Sequence, residues 1–586
     1  MKKLLEFFKP YRKKLAAVLI LDVFGMMCAL ILPYLMSEIL ECGVAVKNMD
    51  LVRRYGIIML ALACVSAAIG IVSAKLNVGI TQSYTSDLFQ RTFEKINNLS
   101  YEDYSDIGPA GLLTRATDDI WNVEGAVTSL PYTIVTVPIM FIGSAILSFM
   151  ADGPLSLIFM LSIPPVILLV LVLMRPLDDM WDKSDKYVDM QNKVVRERLS
   201  GLRVVRAFNK EAYEHGRARL ATEEMSKYMI RANIRGGMVD PFAMLLLNFA
   251  TVAVVYFGGL RAEVASGMGS GDVIAVLQYV ALLTNALINM SWTLAWLPRL
   301  GVSVKRINEI YSLADEDSDG GKDAANDLDL KPDGFDLKIE NLTFSYPKAQ
   351  SPSLRDLTLH VREGEKIAII GGTGSGKSTI ARLLLGLFPP TEGDIILGGK
   401  SYKEMSKATV RANISIALQK AVIFEGSVRD NIKMSKPDAT DEEIMKVLSL
   451  SKMDDFVRSH KEGLDYLLVG MGQNISGGQK QRLNMARAVI KQTNIYIFDD
   501  SFSALDFLTE KEIKENYQQM LSGKSQIFIT QRVSTAMSAE RIYVMDGGRI
   551  VGVGSHDELV ATCHIYREIV RSQLGVGAIG GVAHEE

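Results

Sequence analysis

Residues 366–387 read KIAIIGGTGSGKSTIARLLLGL, and this stretch decides the fold of the second half of the chain. The run KIAII suits a buried strand and STIARLLLGL a helix, with a full G-x-x-x-x-G-K-S pattern between them at 371–378. Gly371, Gly372, Gly374 and Gly376, interspersed with Thr373 and Ser375, let backbone N–H groups turn toward phosphate oxygens at a helix N-terminus, where the helix dipole favours negative charge. In such a loop Lys377 reaches the β- and γ-phosphates, Ser378 ligates Mg²⁺, and Thr379 continues the same turn. Strand before and helix after are the context this pattern requires, so nucleotide binding is expected here.

Outward from the loop, the runs DIIL, ISIAL, IYIF, QIFIT and RIYVM alternate with helical patterns. That alternation predicts an α/β domain with a largely parallel sheet over residues 335–574. One helix start is explicit, because Thr440 followed by Glu443 makes a capping box before IMKVL. The acidic partner of a phosphate loop belongs at the end of another buried strand, and IYIFDD puts Asp499 there as the expected Mg²⁺ carboxylate. Between them, ISGGQKQR at 475–482 sets Ser476, Gly477, Gly478 and Gln479 ahead of a helix. This run of donors suits a γ-phosphate presented from outside the domain.

The N-terminal half is of another kind. The 586 residues are 48% hydrophobic and 22% charged, with a mean hydropathy of +0.16, and the apolar residues gather in six runs near 15–40, 55–74, 130–150, 154–174, 242–260 and 273–297. Each is about the 20 residues a helix needs to cross roughly 30 Å of hydrocarbon. Lys and Arg crowd the N-terminus and the segment 175–235, whereas the turn 151–153 and the last outer loop carry almost none, which predicts both termini in the cytoplasm. The long loops after spans two and four then face the cytoplasm as helices continuing past the bilayer. Residues 1–14 read as an amphipathic interfacial helix, 15–313 as the six-span domain, 314–334 as an acidic linker and 575–586 as a flexible tail.

Other classes are excluded. A net charge of −3 gives no basic pull toward nucleic acid. Cys28, Cys42, Cys64 and Cys563 have neither disulfide nor zinc spacing.

The order of Tyr346, GGTGSGKS, Gln419, ISGGQ, IYIFDD and SALD (503–506) resembles the nucleotide-binding domain of ABC transporters. Behind six spans, the whole resembles a half-transporter of the exporter type: a membrane all-α six-helix domain fused to a cytoplasmic α/β P-loop ATPase. DIGPAGLLTRATDD (106–119) and RERLSGLRVVRAFNKEAYE (196–214) are similar to the family's two cytoplasmic coupling loops. The resemblance implies ATP and Mg²⁺ as cofactors, Tyr346 stacked on adenine, Gln419 sensing Mg²⁺ and touching the membrane domain, and Asp506 touching the opposite subunit. It further implies two chains sandwiching two ATP molecules, each between one phosphate loop and the other chain's signature.

Two positions of the chain's own ATP site depart from the family pattern. Where the family has Glu after the Mg²⁺ aspartate, to polarise the attacking water, this chain has Asp500, one methylene shorter. A misplacement of about 1 Å can cost on the order of 10²-fold in rate. Where the family has a His on the γ-phosphate, this chain has Gln531, which hydrogen-bonds but cannot carry a proton. The signature keeps Ser476 to Gln479, with Ile475 in place of the usual Leu and Met471 and Gly472 where an acid is common. This pattern resembles the degenerate-site subunit of a heterodimeric multidrug exporter, slow at its own site and useful to a non-identical partner through its signature. Neutral drift within a working homodimer is the alternative.

Substrate signals are thinner. Asp22, Asn248, Gln278, Asn285, Asn289, Ser291, Trp292 and Trp296 lie within spans, where polar groups face a bundle interior or an aqueous path, or bond helix to helix. Methionines such as Met26, Met27 and Met244 suit varied apolar ligands or plain core filling. The expectation is export of amphipathic small molecules across a bacterial plasma membrane. A lipid or peptide transporter with the same engine, and an ATP-gated regulator or channel, are the competing readings.

Overall fold

The computed structural model describes residues 6–264, 270–316 and 335–575, with the side chains of 159, 178, 262–264, 270 and 287–299 outside that description. Contacts divide the chain into two units: Met1–Glu94 with Ala110–Ser312, and Lys95–Pro109 with Leu313–Glu586.

The first unit is helical. Its long elements are α1 (Arg12–Glu38), α2 (Met49–Asn97), α3 (Asp118–Pro131), α4 (Val137–Ala151), α5 (Ile163–Met174), α6 (Leu177–Ser200), α7 (Glu211–Gly237), α8 (Val239–Val264) and α9 (Ser270–Ser312). Among the described residues, five continuous helical stretches are long and apolar enough to cross a membrane, and a sixth apolar stretch, Gly271–Ala286, lies at the start of α9. Many large apolar side chains point outward along these helices, Phe24, Ile71 and Phe249 among them, as a lipid-facing surface requires. Inside, Leu247, Val254, Val276 and Leu283 form one buried cluster and Tyr84, Leu88, Ile120 and Ile307 another. α2 continues to Asn97, well past the predicted span end at 74, as a helix that extends beyond its apolar run.

Residues 1–5 of the expected interfacial helix lie outside the described residues. Lys9–Tyr11 is a single 3₁₀ turn running directly into α1. Its aromatics close on the bundle, with Phe8 stacked on Tyr84 at 4.1 Å and Tyr11 donating to Asp87 at 2.7 Å. Aromatic area and a satisfied hydroxyl stabilise this contact. Polar groups in the spans find local partners. Ser73 donates to Asp22 at 2.5 Å and Asn285 donates to the Ala281 carbonyl of its own helix at 3.0 Å. Asn289, Ser291, Trp292 and Trp296 lie outside the described side chains.

In the second unit two sheets share a core. The strands are β1 (Leu337–Phe344), β2 (Leu354–Val361), β3 (Lys366–Gly371), β4 (Glu392–Leu397), β5 (Ile414–Ala417), β6 (Ile495–Asp499), β7 (Ser525–Thr530), β8 (Arg541–Asp546) and β9 (Arg549–Gly554). The larger sheet runs β9-β8-β3-β7-β6-β5, parallel except for the β8–β9 hairpin, and the smaller is antiparallel, β2-β1-β4 with Lys400–Ser401 at its edge. β3, β6 and β7 are buried along almost their whole length, as central parallel strands covered on both faces must be. Ile367, Ile369, Ile380 and Leu383 meet between the sheets, each worth about 1.5–3 kcal/mol of burial. Four helices position the site: α10 (Lys377–Leu384), α11 (Gly477–Val489), α12 (Phe507–Met520) and α13 (His564–Leu574). The segment Lys95–Pro109 belongs to this unit; its short helix Tyr101–Ile107, capped by Ser100, sets Tyr101 edge-on to Phe388 at 5.4 Å.

Candidate active site

The parallel register brings β3, β6 and β7 to a common end, and the loops leaving that end form the site. After β3 the chain turns through the phosphate loop into α10. Gly376 holds φ +99°, and a Cβ there would lie 2.6 Å from Leu354, so glycine is required on two counts. At Gly371 a Cβ would meet the Met545 carbonyl at 2.2 Å, which fixes how closely the loop lies against β8. Lys377 donates to the carbonyls of Gly371 and Gly372 at 2.8 and 2.6 Å and to Ser375 Oγ at 3.2 Å. Its ammonium thus hangs over the loop interior. Burial pushes its pKa below the usual lysine range, against the opposing pull of Asp500 and Asp499.

Asp499 ends β6 at 5% exposure, with Ser378 Oγ donating to its Oδ1 at 3.3 Å. Burial raises the Asp499 carboxyl above its usual range, partly offset by Ser378. A hydroxyl and a half-satisfied buried carboxylate side by side are hard oxygen donors that fit Mg²⁺. Ser378 and Asp499 would hold the ion there, and when bound it would supply positive charge to offset that of a polyphosphate.

Asp500 leaves the strand at φ +45°, its amide donating to the Ile529 carbonyl at 2.7 Å, a backbone state that Asp tolerates better than most residues. Its Oδ2 accepts from Gln419 Nε2 at 3.3 Å. Burial raises its pKa, while Gln419, Arg532 and Lys377 act the other way. Gln531, the first residue after β7, accepts from Thr373 Oγ1 at 3.5 Å. Thr373, Gly374, Gly376, Lys377, Ser378, Thr379, Gln419, Asp499, Asp500 and Gln531 therefore line one open cleft of about 510 Å³. The arrangement can cradle a polyphosphate, hold a divalent cation and set a carboxylate near the terminal phosphorus.

Other predicted residues stand outside this cleft. Tyr346 packs edge-on against Phe344 and Phe388, with its hydroxyl bonded to Thr379 and Arg382. Ser476 is the N-cap of α11 in a reciprocal box with Gln479: Gln479 N to Ser476 Oγ is 3.2 Å and Ser476 N to Gln479 Oε1 is 2.7 Å. The S-x-x-Q spacing carries that cap, a reading the donor-run argument passed over. Gly477 has open space where a Cβ would stand, so its backbone is approachable. Asp506 caps α12 through Thr509 N at 2.9 Å. A second cavity, about 320 Å³, opens beside Phe502, Lys514 and Gln526 and contains none of the motif residues.

Sequence reasoning missed two supports. Gln481 Nε2 donates to the Gln419 carbonyl at 2.5 Å and Asn484 to that of Leu418 at 3.0 Å, tying α11 to the Gln419 loop. Ser353 and Gly548 also wall the cleft; Arg355 N donates to Gly548 O at 2.9 Å, and a Cβ on Gly548 would meet Ser353 O at 2.6 Å. The Gly547-Gly548 pair between two short strands was the available signal.

A phosphate cleft of this build on the same chain as a bundle of long apolar helices is the makeup of an ATP-driven exporter, and the chain belongs to the ABC transporter family. It is a multi-pass membrane protein carrying an ABC-type ATPase domain. Residues 15–287 match the ABC transporter transmembrane region and 354–503 the ABC transporter domain. An uncharacterized ABC transporter ATP-binding protein of Mycobacterium tuberculosis is 33% identical over 98% of this chain and 99% of its own length. The ATP-dependent lipid A-core flippase of Syntrophus aciditrophicus is 24% identical over 99% of this chain and 95% of its own. In fold, the chain is similar to a bacterial Atm1-family ABC exporter solved with ATP bound, with a TM-score of 0.82 at 21% identity, covering 96% of this chain and 99% of that one.

Proposed function

We propose that this chain is one subunit of a heterodimeric exporter of amphipathic small molecules in a bacterial plasma membrane, with both termini in the cytoplasm. Its own ATP site is slow, and its signature at 475–479 completes a competent site on a non-identical partner. The observation that carries this reading is the pair Asp500 and Gln531 at the cleft, the shortened carboxylate and the proton-free amide standing where the family has Glu and His. Lys377, Ser378 and Asp499 keep the groups that hold ATP and Mg²⁺, so binding survives while chemistry slows. Tyr346 serves the adenine, and Asp506 meets the partner.

A lipid cargo is the second reading, favoured by the full-length likeness to a lipid A-core flippase. Reconstitution with a complementary half-transporter that carries the Glu and His tests both. ATP-dependent uptake of an amphipathic dye into inside-out vesicles supports the first reading. Flipping of a labelled phospholipid without dye uptake supports the second, and full activity of this chain alone overturns the heterodimer.

A further inference from the structure

Beside the cleft, the first turn of α12 and the loop after β7 meet in an ionic cluster, around one buried carboxylate, that no motif contains. Glu510 is 3% exposed and both of its carboxylate oxygens are engaged. Oε1 accepts from Lys514 Nζ and Thr535 Oγ1, each at 2.5 Å, and Oε2 accepts from Arg532 Nη1 at 3.0 Å. Three donors on one carboxylate are what a charge needs to remain at such depth.

Arg532 is aimed at backbone on its other side. Nη2 donates to the Ser503 carbonyl at 2.6 Å, and Nη1 also lies 3.4 Å from the Leu505 carbonyl. Those two carbonyls bracket the turn 503–506. Its near end is closed on the active site by Ser503 Oγ donating to Asp500 O at 2.7 Å, and its far end by Asp506 capping α12. In sequence Arg532 is the neighbour of Gln531. The backbone there is pinned from the C-terminal helix α13, where Gln573 Nε2 donates to Gln531 O at 2.6 Å and Gln573 Oε1 accepts from Val533 N at 2.9 Å. One side chain thus joins the residue facing the phosphate loop to the turn that follows Asp500.

We propose that Arg532, held by Glu510, is a positioning residue of the ATPase reaction, tying the Gln531 backbone to the 503–506 turn so that nucleotide bound against Gln531 fixes that turn. Neither residue lines the cleft; both act through Gln531 and Asp500. The planar guanidinium is needed because it presents separate N–H groups to a carboxylate on one side and to carbonyls on the other, a geometry a lysine ammonium cannot reproduce. The proposal rests on reading the cleft as an ATP site and is independent of the partner's identity.

Hydrogen–deuterium exchange on the full-length chain in lipid nanodiscs, with and without Mg²⁺-ATP, tests it. In the wild type, nucleotide slows exchange in both 372–379 and 501–506. In Glu510→Gln and Arg532→Lys the slowing at 372–379 persists, while that at 501–506 falls by about tenfold, as expected when a charge-assisted tether of this kind is lost. Arg532→Lys keeps the positive charge and decides the matter alone if Glu510→Gln does not fold. Nucleotide-dependent protection of 501–506 retained in Arg532→Lys overturns the proposal, and so does its loss together with that at 372–379. No nucleotide-dependent protection at 372–379 in the wild type contradicts the ATP reading itself, and the proposal falls with it.

Discussion

Gln419 Nε2 lies 3.3 Å from Asp500 Oδ2, so the loop before the signature helix touches the carboxylate nearest the expected reaction centre. That loop is itself held by Gln481 and Asn484 of α11. A shift of α11 therefore reaches Asp500 through one amide. The proposed slow site rests on this short Asp side chain, which is bonded to Gln419 from a left-handed backbone position.

Binding and chemistry should separate by mutation. Lys377→Ala removes the ammonium over the phosphate loop, and ATP affinity measured by equilibrium dialysis should fall at least about tenfold, the scale of one charge-assisted contact. Asp500→Asn should change affinity by less than about threefold, since its carboxylate acts mainly in the transition state. Equal losses in both variants would count against the assignment.

Restoring the family's chemistry should restore rate. The double variant Asp500→Glu with Gln531→His, assayed by phosphate release in nanodiscs, should gain about 10- to 100-fold over the wild-type chain, the range associated with a misplacement of about 1 Å. The gain is limited by the αL backbone at 500, which Glu tolerates less well than Asp. An unchanged rate would mean that the slowness lies elsewhere.

In a complex with a competent partner, Ser476 should matter more than Asp500. Ser476→Ala removes the N-cap of α11 together with the hydroxyl offered to the partner's site, and turnover should drop by at least about tenfold, while Asp500→Asn should cost less than about threefold. The reverse order would invert the proposed geometry.

Acid should expose the Glu510 cluster. Burial raises the Glu510 carboxyl, but the hydrogen bonds from Lys514 and Thr535 and the Arg532 charge outweigh it and hold it below its ordinary value of 4.5. A depressed carboxyl contributes stability that is fully present above the ordinary value and lost as pH falls through the folded one. The melting-temperature gap between wild type and Glu510→Gln should hence be constant above about pH 5.5 and narrow as pH drops below 4.5. A gap that widens on acidification would contradict the sign.

Features set by local chemistry were legible in the sequence. The phosphate loop needs glycines before a helix, β6 must end in a carboxylate, and spans need apolar length, so 371–378, Asp499 and the long helices could be read directly. The Thr440–Glu443 box was legible for the same reason and is present with both of its hydrogen bonds. Contacts set by tertiary register were not. Arg532 and Glu510 are 22 residues apart on different elements, and their meeting depends on how α12 lies against β7. Gln481 looks like an ordinary polar helix residue until its face is known. The π-helical stretches Ile39–Val44 and Tyr132–Thr136 were also hidden, because a single extra residue per turn leaves hydropathy unchanged.

The most direct measurement of the central claim is steady-state phosphate release by the purified full-length chain alone, in nanodiscs at saturating Mg²⁺-ATP, with bound nucleotide quantified in the same sample. The account predicts ATP bound near one per chain, with phosphate release close to that of the Lys377→Ala variant. Vigorous, vanadate-sensitive hydrolysis by the chain alone would contradict it.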